Sequence, residues 1–284
     1  MPRLMMALIV LAAVLSPALP VGAIVNGTEP DEDDTRFDAV GAFSRTAWLI
    51  ENPGDQHVHN WYGNGVLIAP DVVLIAKHLL PNNGQGGQRP GAFSIRFRRH
   101  VDGSLGSRDR GAESYHQVRI REWVIAQRFD LALGILEEPV EHIQPVKLWL
   151  DGPPLRNRRA VLAGWGSVSP WQGKGGPRPG LRMGENAVSS RGTFLAIDSR
   201  RTEMRENEQG QRKAYYIDEN AGVNMHDSGG SMFIFDDGGH PILMGIIATY
   251  SGGTYLPMAQ EAGFPIEASV RGGAALLEAV KSAE

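Results

Sequence analysis

Three polar side chains stand in local patterns that suit nucleophilic catalysis. His78 ends an apolar stretch, Asp130 opens an alternating one, and Ser228 lies in the glycine turn Asp227-Ser228-Gly229-Gly230. A serine becomes a strong nucleophile when a base takes its hydroxyl proton, and histidine is the side chain whose pKa suits that task at neutral pH. A carboxylate beside the imidazole fixes its tautomer and stabilises its charged form. Together the three residues predict acyl-transfer chemistry.

Short β segments separated by turns would have to position these side chains. The chain has 35 glycines and 18 prolines among 284 residues, which is typical of many turns and short strands. Because no helices alternate with the strands, the pattern predicts an all-β sandwich or barrel. Only the end, 273–283, has helical periodicity. The predicted strands are 66–68, 72–75, 94–98, 117–125, 131–136, 160–164, 193–198, 213–218, 231–235 and 241–250.

Other stretches are predicted to lack regular structure. Residues 82–90 and 171–184 are rich in glycine and proline, and residues 200–213 form a loop of mixed charge. Residues 144–154 contain three prolines and predict the boundary between two β halves.

The composition excludes several kinds of site. The 28 basic and 32 acidic residues give a net charge of −4, which does not favour a nucleic-acid surface. Because the chain has no cysteine, disulfides, thiolate zinc sites and cysteine nucleophiles are ruled out. His57 and His59 would share one strand face, but the sequence assigns no third ligand to them. We therefore expect surface histidines there, and neither a metal nor another cofactor.

Residues 1–23 have the pattern of a secretory signal peptide. Arg3 is their only charge, an unbroken apolar run follows it, and small residues end the segment at Ala23. The run is shorter than the roughly 20 apolar residues that a membrane helix needs. We therefore expect an exported protein, secreted or periplasmic, with no membrane contact once the signal is removed. A cut after Ala18 instead of Ala23 would leave a short propeptide.

The order of the three residues along the chain reduces the number of folds that could bring them together. His78, Asp130 and Ser228 are separated by 52 and 98 residues, and their order is that of chymotrypsin. The α/β-hydrolases have the order Ser, Asp, His and a Gly-x-Ser-x-Gly turn, in which His226 would replace a glycine. Over residues 24–284 the chain resembles the trypsin/chymotrypsin-like serine peptidases. The motifs that carry the resemblance are Ile24-Val25-Asn26-Gly27, Gly63-Asn64-Gly65-Val66-Leu67-Ile68 running on to Ala76-Lys77-His78, Asp130-Leu131-Ala132-Leu133, Gly164-Trp165-Gly166 and Asp227-Ser228-Gly229-Gly230.

The resemblance implies a fold of two six-stranded antiparallel Greek-key barrels with a cleft between them. The first barrel would occupy about residues 24–145 and the second about residues 155–270, followed by a short C-terminal helix at about residues 273–283. The first barrel would supply His78 and Asp130, and the second would supply Ser228.

The resemblance also implies a role for each site residue. His78 would act as general base and then general acid, Asp130 would orient it, and Ser228 would form the acyl-enzyme. The backbone N–H groups of His226 and Ser228 would form the oxyanion hole. In this family the amino group of the Ile-Val terminus pairs with the aspartate before the nucleophile. The corresponding residues here are Ile24 and Asp227.

This sequence departs from the family pattern near the site. His226 replaces a glycine, and a histidine adopts a positive φ only at some steric cost. Ala248 replaces the serine that supports the triad aspartate, so Asp130 would have one partner fewer. Ile75 and Lys77 replace small residues beside His78.

The predicted specificity pocket carries no charge. Its floor would be Gly222, six residues before Ser228, where trypsin has an aspartate, and Tyr250 would narrow its mouth. This combination favours small or medium apolar substrate side chains.

The leading hypothesis is an exported serine endopeptidase that acts as a monomer on protein or peptide substrates. An inactive peptidase-like binding module, with the cleft kept as a recognition surface, is an alternative from another class. An esterase on the same scaffold is a third hypothesis.

Overall fold

The computed structural model describes residues 24, 27–31, 33–45, 61–81, 93–98, 100–101, 104–105, 115–166, 181–198, 202–206, 212–216, 221–223, 226–249 and 251–282. The predicted signal peptide, His57, His59, the stretch 82–90 and Tyr250 lie outside the described residues.

The first half of the chain forms a closed antiparallel barrel of six strands in the order β1-β2-β3-β8-β7-β4. A two-stranded ribbon, β5 and β6, is paired separately. The strands are β1 (Val40–Arg45), β2 (Trp61–Ala69), β3 (Val72–Ile75), β4 (Phe93–Arg98), β5 (His100–Val101), β6 (Ser104–Leu105), β7 (Tyr115–Ile125) and β8 (Ala132–Leu136).

A tight hairpin around Pro70-Asp71 joins β2 to β3, with Leu67 opposite Val73. In β4 both Ile95 and Phe97 are fully buried in the barrel core.

The second half forms another closed ring of six antiparallel strands, in the order β10-β11-β12-β17-β16-β15. The pairing of β15 with β16 and with β10 closes the ring. A short strand, β9, adds to β16 in parallel, and β13 pairs with β14 as a separate hairpin. The strands are β9 (Lys147–Leu148), β10 (Arg158–Gly164), β11 (Arg182–Arg191), β12 (Phe194–Ile197), β13 (Thr202–Glu206), β14 (Arg212–Tyr216), β15 (Ser231–Phe235), β16 (Pro241–Thr249) and β17 (Gly252–Tyr255).

Three short helices follow the second barrel: α1 (Leu256–Glu261), α2 (Ile266–Ser269) and α3 (Gly273–Lys281). Helix α3 packs back on the first barrel, where the Asp71 carboxylate accepts the Gly273 N–H at 2.8 and 2.9 Å and Leu276 is buried. The predicted fold class is confirmed: the protein is mostly β, with two closed six-stranded barrels. No helix within the described ranges is long and apolar enough to cross a membrane.

The structure corrects three expectations about regular structure. Helices α1 and α2 were not expected, because six and four residues are too few to show a helical period. The end of the stretch 171–184 is strand, since β11 begins at Arg182. The charged stretch 200–213 contains β13 and the start of β14, so that part of it is a paired hairpin.

Five further strands, β1, β5, β6, β9 and β17, were not predicted, and β9 lies within the stretch 144–154. In β17 the glycines reflect a close approach of strands, because a Cβ at Gly253 would lie 1.8 Å from the Ile246 carbonyl oxygen.

Candidate active site

His78 and Asp130 are brought together by the pairing of neighbouring strands in the first barrel. His78 lies in a 3₁₀ turn, Lys77–Leu79, directly after β3, and Asp130 lies two residues before β8. Strands β3 and β8 are antiparallel, with Ile75 opposite Ala132, so the end of one meets the start of the other. The two residues therefore meet at one rim of the barrel, although 52 positions separate them.

Both carboxylate oxygens of Asp130 bind His78. The backbone N–H of His78 donates to Oδ1 at 2.8 Å, and Nδ1 of the ring lies 2.7 Å from Oδ2. A carboxylate can only accept, so Nδ1 carries the hydrogen and Nε2 of the neutral ring is left as an acceptor. That tautomer is the one a general base needs at Nε2.

The environment keeps Asp130 ionised. Partial burial raises the pKa of its carboxyl group, but the hydrogen bonds and charge of His78, together with the charge of Lys77, outweigh burial and hold the pKa below the ordinary 3.8. Lys77 itself donates to the Ala126 carbonyl oxygen at 2.9 Å, which anchors the 3₁₀ turn to the end of β7. Among the described residues, His78 is the only hydrogen-bond donor to Asp130, and none of its bonds comes from Ala248.

Ser228 lies, partly buried, in a tight turn between buried residues of the second barrel. The Gly230 N–H donates to the Asp227 carbonyl oxygen at 2.8 Å. The turn is bonded to Ile247 of β16, whose carbonyl oxygen accepts the Gly229 N–H and whose N–H donates to the Gly230 carbonyl oxygen. Gly229 has φ +80° and His226 has φ +68°. The histidine therefore holds a left-handed conformation that glycine adopts freely, while its side chain is exposed.

The turn 226–230 is docked against the first barrel beside His78. The backbone N–H of Asn64 in β2 donates to the Ser228 carbonyl oxygen at 2.8 Å. A Cβ at Gly63 would lie 2.4 Å from that oxygen and 2.8 Å from Leu79, and one at Gly229 would lie 3.0 Å from Leu79. Because Leu79 directly follows His78, the turn that carries Ser228 lies next to the turn that carries the histidine.

Asp227 is fully buried and is held by two segments distant in sequence. Its Oδ2 accepts the Ile24 N–H at 3.2 Å, and its Oδ1 accepts the Gly166 N–H at 3.1 Å. The Ile24 side chain is also fully buried, and its backbone has φ +49°. A positive φ is a rare, strained conformation for a β-branched residue.

Gly222 lies between two buried apolar residues, Ala221 and Val223. The Ala221 N–H donates to the Glu185 carbonyl oxygen at 2.7 Å, and the Asn186 amide donates to the Ala221 carbonyl oxygen at 2.6 Å. The N–H and the carbonyl oxygen of Ala221 are thus both bonded to β11, which fixes the segment to that strand.

Sequence reasoning assigned no role to Asn64, whose side chain forms three hydrogen bonds to backbone groups at and beside the turn. Its side chain donates to the carbonyl oxygens of His226 and Ser228 and accepts the Trp165 N–H at 2.6 Å. The sequence shows only a polar residue between two glycines ahead of the apolar run of β2, and its full burial is seen in the structure alone. Buried polar residues are the exceptions that call for an explanation.

The described residues contain no group of three or more histidine, aspartate or glutamate side chains that could hold a metal ion.

Comparisons of the chain with protein-family models and with curated proteins find no match. The double barrel is consistent with a trypsin-like scaffold on its strand order and closure alone.

Proposed function

We propose that the protein is an exported serine endopeptidase that uses Ser228, His78 and Asp130. One observation carries the proposal: an ionised Asp130 binds His78 through both oxygens, one at the ring Nδ1 and one at the backbone N–H, next to a glycine turn that presents a serine. A histidine oriented through Nδ1 beside a serine is the arrangement that generates a nucleophile at neutral pH.

The reaction would proceed in two halves. Ser228 Oγ bonds to the substrate carbonyl carbon while its proton passes to His78 Nε2, and the carbonyl π electrons move to the oxygen. When the tetrahedral intermediate collapses, the C–N bond breaks and His78 gives the proton to the leaving amine. Water then repeats the sequence on the acyl-enzyme and frees Ser228. Asp130 stays ionised throughout and stabilises the imidazolium.

The N–H groups of His226 and Ser228 are the proposed oxyanion donors. Preorganised donors at this position account for a large share of catalysis, about 10²- to 10³-fold in kcat for one donor. The left-handed backbone at His226 supports this role, because it is a conformation the turn adopts despite having a side chain there.

Activation would come from cleavage before Ile24. In the uncleaved chain the Ile24 nitrogen is a peptide N–H already 3.2 Å from Asp227. Cleavage would convert it to an ammonium facing a buried carboxylate, a far stronger interaction than a peptide N–H offers. It would also release Ile24 from its strained backbone. If export itself makes this cut, no zymogen accumulates, whereas a cut after Ala18 would leave a short propeptide.

By the resemblance, the primary pocket would have Gly222 at its floor and Tyr250 at its mouth, and it would take small or medium apolar side chains. The apolar neighbours Ala221 and Val223 support this preference. The substrate would be a protein or peptide met outside the cytoplasm by a monomeric enzyme. No nucleic acid, membrane or cofactor takes part.

The test uses the protein processed to begin at Ile24, with Ser228→Ala as the control. We expect it to cleave an unfolded protein and peptide amides with alanine, valine or leucine before the cut, and the control to be inactive. Turnover of esters without turnover of amides would favour the esterase. Peptide binding with neither reaction would favour the binding module.

A further inference from the structure

We propose that Asn64 is a positioning residue, whose buried amide, reaching across from the first barrel, holds the peptide groups on both sides of Asp227-Ser228. This inference rests on the proposed peptidase function, and it assigns a role to a residue outside the triad.

The hydrogen bonds of the Asn64 side chain allow only one orientation of its amide group. Its Nδ2 donates to the His226 carbonyl oxygen at 2.9 Å and to the Ser228 carbonyl oxygen at 3.3 Å, and its Oδ1 accepts the Trp165 N–H at 2.6 Å. Both turn partners are carbonyl oxygens and the third is an N–H, so the amide fits in a single orientation. A fully buried amide that satisfies three backbone groups is a fixed element of the site.

These contacts fix the orientation of successive peptide planes. Because a peptide is planar and trans, holding its carbonyl oxygen also aims its N–H in the opposite direction. The peptide between Ser228 and Gly229 has its oxygen on Asn64 and its N–H on Ile247, so it bridges the two barrels. The peptide between Asp227 and Ser228 is set by the bond from Gly230. Asn64 therefore holds the planes that flank the Ser228 N–H.

The same residue relates the base to the nucleophile. Asn64 lies on β2, and β2 belongs to the same barrel as His78 and Asp130. The turn that carries Ser228 belongs to the second barrel. Its partner Trp165 precedes Gly166, which donates to Asp227, so one segment supports both Asn64 and Asp227. Loss of the amide would leave the His78–Asp130 pair unchanged and loosen the serine relative to it.

The test compares Asn64→Ala and Asn64→Asp with wild type. Aspartate keeps the size of the side chain and the acceptor for Trp165 but cannot donate to the turn. We expect kcat to fall about 10- to 100-fold in both variants, less than the 10²- to 10³-fold cost of a lost direct oxyanion donor, with KM within about threefold. Ser94→Ala is the matched control, since Ser94 is a buried polar residue of the same barrel, bound to Ser44 and Gln117. It should lose stability but keep kcat.

Amide hydrogen exchange gives a readout that does not depend on activity. In Asn64→Ala, we expect exchange in the peptide covering residues 226–230 to rise at least tenfold while the peptide covering β12 stays at the wild-type rate. Unchanged exchange in the turn, or an equal rise in every segment, would overturn the positioning role. If wild type hydrolyses nothing, the proposed function fails, and the exchange data still decide whether Asn64 holds the turn.

Discussion

The two halves of the candidate site are built in different ways. His78 and Asp130 lie on adjacent strands of one barrel, remain about one-third exposed at their side chains, and bind each other. Asp227 and Ser228 lie in a turn of the second barrel that is bonded to Ile247 of its own barrel and also to residues 24, 64 and 166. The base half is thus complete within one barrel, whereas the nucleophile half depends on three segments far away in sequence.

This difference separates chemistry from assembly. Substitutions in the base half should affect the reaction while leaving the nucleophile turn in place. Substitutions of the residues that hold the turn should impair the reaction without touching a reacting atom.

The largest effect is expected for Ser228→Ala and His78→Ala. Each should lower kcat by about 10⁴- to 10⁶-fold, and the double variant should be little worse, because the pair acts as one unit across the two halves. Steady-state kinetics on a peptide amide measure all three variants. Strictly additive losses would show that the two residues do not share a proton-transfer step.

Asp130→Asn should cost about 10⁴-fold in kcat, because an amide at this position favours the wrong histidine tautomer. The pKa of Asp130 is lower in the folded protein than in the unfolded chain, so the ionised carboxylate stabilises the fold at pH values above the unfolded pKa. That stabilisation is lost as the pH falls through the folded pKa. The stability difference between wild type and variant should therefore shrink in acid. Denaturant unfolding at pH 7 and at about pH 3 measures it, and a constant difference would contradict the assigned charge state.

Asp227→Asn should lower kcat by about 10²- to 10³-fold through loss of a buried pair, without removing a reacting group. Asp38→Asn is the control, since Asp38 is a buried carboxylate that pairs with Arg98 at 2.7 Å in the first barrel. It should destabilise the protein and leave kcat near wild type. Equal loss of activity in both variants would mean that activity follows general stability.

One extra residue before Ile24 should have the same effect as Asp227→Asn. Activity of the processed protein should also fall in alkali, because an α-amino group, whose ordinary pKa is about 8, loses its proton there. Activity that is indifferent to both changes would exclude the amino-terminal switch.

The smallest effect is expected at His226. His226→Gly should keep kcat or raise it by up to about tenfold, since glycine adopts φ +68° without the cost of about 1–2 kcal/mol that a side chain incurs there. His226→Ala keeps that cost and should not exceed wild type. A large loss in the glycine variant alone would instead assign a role to the imidazole.

Local sequence signals predicted the strands whose side chains alternate or form apolar runs, including β3, β4, β8 and β15. They did not predict β17 or helices α1 and α2, where glycine packing against distant strands and very short length decide the structure. The resemblance implied a glycine where this chain has His226, but only the structure shows that the backbone there is left-handed. The role of Asn64 could not be foreseen, because its three partners lie between 101 and 164 residues away in the chain.

The most direct measurement is the stoichiometry of labelling by a serine-directed fluorophosphonate, read by mass spectrometry on the protein that begins at Ile24. We predict one label per molecule, located on Ser228, with labelling slowed by orders of magnitude in His78→Ala. No label on Ser228, or equal labelling in both proteins, would contradict a serine activated by His78.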